Sequence, residues 1–347
     1  MPNGLREANH NMKKPIEIIN NDYSDYLHLE YSLTNVCNYK CWYCGPELNS
    51  GTIRFPENYD LLVKNLDHVL SVYREHHNKK RIRINLIGGE PTLWPKISDF
   101  AKHYYEQGVK ITMATNGSRT ARWFRENANF FDDIHVSIHH EFCDPNHIIE
   151  IMDVMYNETD TLGNASILMD RNHWDKCAAI VDKLTAHSTP WVFKVKPIFV
   201  NGQMDQYTPE QLDYIRNKLR KRPPQEYIDK QIALGRIPVN KPNIQVKFDD
   251  GSTDGYKTFD LFENDWYHFT GWRCNVGVDR LGINGKHDIV GFCGQDNIYG
   301  LAKPLSMFDP DLASKFTPDL VRPTICEQVS CTCPSDTKVS KIKFYDR

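Results

Sequence analysis

Between Leu27 and Ile198 the sequence switches repeatedly between two hydrophobic periods, and that alternation limits the chain to few folds. Leu27 to Thr34, Arg81 to Ile87, Val109 to Ala114, Asp133 to Ile138, residues 163–169 and Trp191 to Ile198 read as strands. Residues 58–79, 94–107, 119–128, 145–157 and 173–187 read as helices between them. Ile134, Val136 and Ile138 alternate as a strand requires, whereas Leu61, Leu62, Leu66, Val69 and Leu70 recur at helical spacing. Strand and helix in strict succession imply an α/β chain with a parallel sheet and helices outside it. Six strands predict an open, partial (β/α)6 barrel. In such a sheet, ligands gather at the C-terminal strand ends.

Two of those ends carry unusual residues. After the first strand comes Cys37-Asn38-Tyr39-Lys40-Cys41-Trp42-Tyr43-Cys44, a C-x3-C-x2-C run with an aromatic before its last cysteine. Three thiolates leave a tetrahedral shell one ligand short. An iron–sulfur cluster held this way keeps one iron open for a non-protein ligand. Zinc is the alternative, provided a second cysteine pair or histidines close its shell. After the second strand comes Gly88-Gly89-Glu90-Pro91. The glycines allow close backbone approach to a ligand, and Glu90 sets a carboxylate at the strand end.

Together these motifs closely resemble the signature of the radical S-adenosylmethionine (radical SAM) enzymes. The resemblance implies a TIM-like partial barrel and a 4Fe–4S cluster on Cys37, Cys41 and Cys44 with SAM at its open iron. It also implies that Gly88, Gly89 and Glu90 bind the SAM amino group and that Tyr43 packs near the adenine. The end of the third strand, Thr115-Asn116-Gly117-Ser118, puts Asn116 at the edge of the SAM pocket, although Asn-Gly is also ordinary turn chemistry. At the fourth strand end the resemblance assigns Ser137 to the SAM ribose. His139 shares the face of Ser137 and reaches ribose, substrate or water. Asp170 and Asn172 follow the fifth strand. Lys194 and Lys196 share one face of the sixth, where they meet a SAM carboxylate, an acidic substrate or solvent. The implied chemistry is one-electron cleavage of SAM to a 5′-deoxyadenosyl radical that abstracts hydrogen from a substrate.

Cysteines return late in the chain. Cys274 and Cys293 flank Gly282-Ile283-Asn284-Gly285, which reads as a hairpin, and Cys326, Cys331 and Cys333 follow. Their order resembles the SPASM/twitch extensions of radical SAM enzymes and implies one auxiliary 4Fe–4S cluster. The C-x4-C-x-C spacing at the end departs from the family's usual pattern, so which of Cys326, Cys331 and Cys333 is left out stays open, as does zinc on the same thiols. The predicted organisation is an N-terminal extension (1–26), a barrel (27–200), a connecting segment (201–265) and a small α+β cluster-binding extension (266–347). Within the connecting segment, Pro209 to Lys221 reads as a helix.

Composition narrows the function classes. No apolar run approaches the roughly 18 to 20 residues that span a bilayer, and Met1 to Lys14 lacks the apolar core of a secretory signal. Ten cysteines without an export signal indicate reduced thiols in a cytoplasmic protein. Cys143 and Cys177 stand apart from both groups and suit buried packing. A net charge of −3 argues against a large nucleic-acid footprint. The resemblance implies an electron donor such as flavodoxin or ferredoxin, and an auxiliary cluster in this family goes with substrate oxidation or peptide modification. About two dozen residues before the first strand tilt the reading toward a small-molecule substrate or a separately supplied peptide. The competing class is an iron–sulfur redox or metal-binding protein that does not cleave SAM.

Overall fold

Alternation along the parallel strands separates an apolar face covered by helices from a polar inner face. The computed structural model describes residues 13–200, 203–217, 219–235, 244–291, 299–331 and 333–344. β1 (Pro15–Asn20) precedes β2 (Tyr26–Ser32), in which Leu27, Leu29 and Tyr31 are buried. The cysteine loop, a single turn α1 (Pro46–Asn49) and the long helix α2 (Tyr59–His76) lead to β3 (Arg81–Ile87). Asn58 caps α2 by accepting a hydrogen bond from Leu61 N at 3.0 Å. Its apolar stripe, Leu62, Leu66, Val69, Leu70 and Tyr73, is buried.

The pattern then repeats through α3 (Ile97–Glu106), β4 (Lys110–Thr115), α4 (Ala121–Asn127), β5 (Asp133–Ile138), α5 (Pro145–Glu158), β6 (Leu162–Met169), α6 (Trp174–Ala186) and β7 (Val192–Pro197). Neighbouring strands from β2 to β7 pair in parallel, in chain order. A parallel sheet covered on both faces reads as unbroken apolar runs. Here the alternation survives because helices cover only one face, and Glu30, Asn85, His135, Ser166 and Lys194 line the other.

Beyond β7 lie a short hairpin, β8 (Phe199–Val200) with β9 (Gln203–Met204), and then α7 (Pro209–Arg216). The helix expected over Pro209 to Lys221 stops at Arg216. Leu219–Lys221 instead forms β10, which pairs antiparallel with the open edge of β7. Unpaired backbone groups on that edge outweigh the helical pattern of the sequence. α8 (Gln225–Ala233), the hairpin β11 (Ile244–Phe248) and β12 (Thr253–Tyr256), α9 (Thr258–Glu263) and β13 (Trp272–Cys274) follow.

Both sheets cross the divisions drawn from the sequence at residues 27 and 266. β14 (Arg280–Ile283) pairs in parallel with β2, and β15 (Asp288–Val290) and β16 (Leu305–Ser306) extend the same sheet. The order is β10-β7-β6-β5-β4-β3-β2-β14-β15-β16, so the predicted Gly282–Gly285 hairpin lies against the barrel edge. α10 (Leu312–Lys315), β17 (Thr324–Ile325), α11 (Pro334–Thr337) and β18 (Lys341–Lys343) complete the described chain. The second sheet runs β12-β11-β1-β18-β13-β17, with β1 inside it. Ile18, Val246, Phe248, Phe269 and Trp272 form its separate small core. No described helix is long and apolar enough to cross a membrane.

Candidate functional site

The cysteine loop leaves β2 and is pinned from below by the Gly-Gly-Glu turn. Gly89 N donates to Thr34 O at 2.7 Å and Glu90 N to Val36 O at 2.8 Å. A Cβ on Gly88 would stand 2.4 Å from Thr34 O, and one on Gly89 2.2 Å from Val36 O. The close approach that these glycines permit is therefore to the chain just before Cys37. Gly88 also adopts φ +119°, which L side chains rarely tolerate. Gly89→Ala is expected to lower stability by about 2 kcal/mol or more and to reduce iron uptake. Gly51→Ala, where a Cβ meets nothing within 4 Å, costs about 1 kcal/mol through its positive φ. Denaturation midpoints and iron content of the two variants check this.

Glu90 is fully buried, and its carboxylate is already occupied. Oε1 accepts from Thr92 N (3.0 Å), Thr92 Oγ1 (2.6 Å) and Thr115 Oγ1 (2.7 Å), and Oε2 accepts from Asn116 N (2.6 Å). Burial raises its pKa, and these donors oppose the rise. The side chain thus ties the end of β3 to the end of β4. Asn116, aligned by this bond, turns its Nδ2 to Asn38 Oδ1 at 2.9 Å and to Cys37 Sγ at 3.8 Å.

His139 meets the cysteine loop directly. Its Nδ1 lies 2.7 Å from Tyr43 Oη and 3.3 Å from Cys41 Sγ, and its ring stacks on that of Tyr43. Burial, then the charge of neighbouring His140, lowers its pKa to about 4, so the ring is neutral at physiological pH. Ser137 lies two residues earlier on the inner face of β5, opposite Ser166 of β6. Tyr39, Asn116, Ser118, His139 and Phe142 line a cavity of about 270 Å³ at the ends of β4 and β5. A larger one, about 640 Å³, opens between the cysteine loop (Thr34, Glu47) and the β14–β15 hairpin (Gly285, Lys286) and reaches Glu30 and Ser32.

Asp170 anchors the loop from the other side. It is fully buried and accepts from Trp42 Nε1 at 2.7 Å and Asn172 N at 2.8 Å, with His173 Nδ1 at 3.1 Å. Burial alone would raise its pKa, yet these donors bring it below the usual carboxylate value. The sequence signalled Asp170 by position but not its partner Trp42, which precedes it by more than a hundred residues. Among the described residues only His140, Asp170 and His173 bring three potential ligand atoms within 4.8 Å of one another. Their imidazoles stack at 4.9 Å, and both turn a ring nitrogen to Asp170 Oδ2, His140 at 3.7 Å and His173 at 3.1 Å.

Cys37, Cys41 and Cys44 are all free thiols on the loop that follows β2, one ligand short of a closed tetrahedral zinc shell. In the second sheet Cys274 lies on β13, Cys326 N bonds to Trp272 O (2.8 Å) and Cys331 N to Tyr267 O (2.7 Å). These three thiols share an electrostatic neighbourhood with Lys341. Cys333 Sγ faces Arg280 Nη1 at 3.9 Å instead, and Cys293 lies outside the described residues. Burial pushes Cys41 up to about 12 and Cys274 up to about 11, so a cation has to displace each thiol proton. Cys177 is buried and Cys143 half-buried, both against the main core.

Residues 31–181 match the model of the radical SAM superfamily. They form a radical SAM domain. Over 95 residues the chain is 35% identical to a GTP 3′,8-cyclase of Helicobacter pylori, 27% of each protein being covered. Over 99 residues it is 30% identical to an S-adenosylmethionine-dependent nucleotide dehydratase of Psychrobacter lutiphocae, covering 27% of this chain and 33% of that one. The chain spans about a third of the length of the curated relatives it matches. Among solved structures, Streptococcus suis SuiB bound to S-adenosylmethionine aligns with a TM-score of 0.47 at 16% identity, covering 86% of this chain and 67% of SuiB. Radical SAM domains use a 4Fe–4S cluster and SAM, and three thiols on one loop beside two cavities fit both.

Proposed function

We propose that this chain is a radical SAM enzyme in which Cys37, Cys41 and Cys44 hold a 4Fe–4S cluster and SAM completes the open iron. The supporting observation is the cysteine loop itself. It lies at the C-terminal end of a parallel sheet, pinned by Gly89 and Glu90 from β3 and by Asp170 from β6. When bound, the cluster supplies the electron and SAM the 5′-deoxyadenosyl radical.

The chain's own residues do the positioning. Glu90 acts through Asn116, since its carboxylate accepts from Thr92, Thr115 and Asn116, and the Gly88–Gly89–Glu90 turn meets the SAM amine. His139 fixes the Tyr43 ring beside the cysteines, and Asn116 and Ser137 present polar groups toward SAM. A neutral His139 adds no charge beside the cluster.

Cys274, Cys326 and Cys331 hold an auxiliary 4Fe–4S cluster in this reading, with Cys293 or Cys333 as the fourth ligand. The radical takes hydrogen from a small molecule or a peptide, and the auxiliary cluster accepts a second electron or orients the substrate. Flavodoxin or ferredoxin serves as electron donor. The match of residues 31–181 to the radical SAM model covers the cysteine loop and the Gly-Gly-Glu turn and supports the cofactor chemistry.

The test is anaerobic reconstitution, reduction with dithionite and addition of SAM, with 5′-deoxyadenosine, iron and sulfide measured on one sample. Deoxyadenosine with about eight iron per chain is the expected result. A fully loaded protein that gives no deoxyadenosine, and whose reduced EPR signal SAM leaves unchanged, overturns the reading in favour of a redox protein.

A further inference from the structure

The inner face of the parallel sheet holds more positive charge than its own carboxylates offset. On β7, Phe193 and Val195 are buried under the helices, while the alternate residues Lys194 and Lys196 stand on the inner side. The neighbouring strands bring hydrogen-bonding groups to them. His135 Nε2 lies 2.9 Å from Ser166 Oγ and 3.3 Å from Lys196 Nζ. Arg83 of β3 reaches the same region, since its charge and that of Lys194 both bear on Asp133.

Like charges on alternate residues of one strand repel, and an arrangement of this kind needs a counter-charge. Within the fold it has little. Among the described residues no carboxylate oxygen lies within 4.0 Å of Arg83, Lys194 or Lys196. Asp133, the nearest acid, is engaged by Asn164 Nδ2 at 2.6 Å. Arg83 Nε is buried and has no hydrogen-bond partner. Both lysines are exposed on the inner side, and partial desolvation, then the proximity of Lys194, lowers the pKa of Lys196. The face also lies on the same side of the sheet as Ser137, on the path from the cysteine loop into the barrel.

We propose that Arg83, Lys194 and Lys196, with His135 and Ser166, bind an anionic group of the substrate, a phosphate or a carboxylate, on the inner face of the barrel. The assignment rests on the radical SAM reading for what is done to that substrate, though not for the binding itself. Two mobile ammonium groups supply charge, the guanidinium a directional fork, and Ser166 a neutral donor. A molecule anchored there by its anionic end extends toward the cysteine loop, where hydrogen is abstracted.

Calorimetric titration of the anaerobic, cluster-loaded protein with saturating SAM tests this, using inorganic pyrophosphate and, separately, succinate. Binding of one or both is expected, with Lys194→Gln/Lys196→Gln weakening it at least about tenfold and Lys194→Arg/Lys196→Arg remaining within about threefold. Pyrophosphate alone identifies a phosphate-bearing substrate, and succinate alone a carboxylate. Circular dichroism and iron content verify that each variant is folded and loaded. Three results overturn the proposal: neither anion binds, the glutamine variant binds as tightly as wild type, or SAM abolishes binding and the lysines serve its carboxylate. Deoxyadenosine formation by the same wild-type sample is read separately. Its absence, with a reduced EPR signal that SAM leaves unchanged, sinks the radical SAM reading, and intact anion binding in that sample leaves the anion site standing.

Discussion

Replacing Cys41 with alanine is expected to abolish 5′-deoxyadenosine formation and to remove about four iron per chain, leaving the iron of the proposed second cluster in place. Cys41 is the most buried of the three loop thiols, and its Sγ lies 3.3 Å from His139 Nδ1. Alanine removes a ligand without enlarging the side chain, so the loop keeps its anchors at Gly89, Glu90 and Asp170. Two thiolates cannot hold a site-differentiated cluster against solvent. Cys274→Ala is expected to give the complementary pattern, with the auxiliary iron lost and the SAM-dependent EPR change retained. Iron analysis and deoxyadenosine quantification on both variants decide the assignment. Full iron in the Cys41 variant would show that the loop is not a ligand.

The second large effect concerns stability. Lys79→Met is expected to destabilise the fold by about 3–5 kcal/mol, because it leaves a buried carboxylate unpaired. Lys79 Nζ lies 2.7 Å from Asp279 Oδ1, with side chains 3% and 4% exposed. Burial raises the pKa of Asp279, and the neighbouring ammonium opposes that rise. The pair joins the entry of β3 to the turn before β14, across the seam where the late chain meets the barrel. Restoring neutrality with Lys79→Met/Asp279→Leu recovers most of the loss, since apolar packing often replaces a buried ion pair at little cost. Denaturant midpoints for the two single variants and the double variant measure the coupling. Equal losses in the single and double variants would mean that the lysine acts through packing alone.

Much of the barrel is legible in the sequence, for a physical reason. Its inner face is polar, so Leu27, Leu29 and Tyr31 or Ile134, Val136 and Ile138 stand out against their neighbours. The cysteine run and the Gly-Gly-Glu turn are local motifs and are read whole. What the sequence hides is contact between distant elements. Glu90 looks like a ligand-facing carboxylate until Thr115 and Asn116 of another strand are seen to occupy it. Asp170 has no visible purpose until Trp42 reaches it. Leu219–Lys221 continues a helical pattern, and only the vacant edge of β7 draws it into a strand. The contact of Cys333 Sγ with Arg280 Nη1 at 3.9 Å is likewise one that no spacing rule conveys.

The position of β1 has a consequence for synthesis. Asn20 pairs with Ile244 and Ile18 with Lys341, so β1 leaves the ribosome long before any strand that can cover it. The open sheet from β2 to β7 is built by neighbour-to-neighbour pairing and can form as it emerges, whereas this early strand waits with an apolar residue and unpaired amides exposed. The first cysteine loop can thus take its place before the module around Cys274 is complete. During that interval a free strand edge is available to other chains, a window in which delayed translation favours aggregation over maturation.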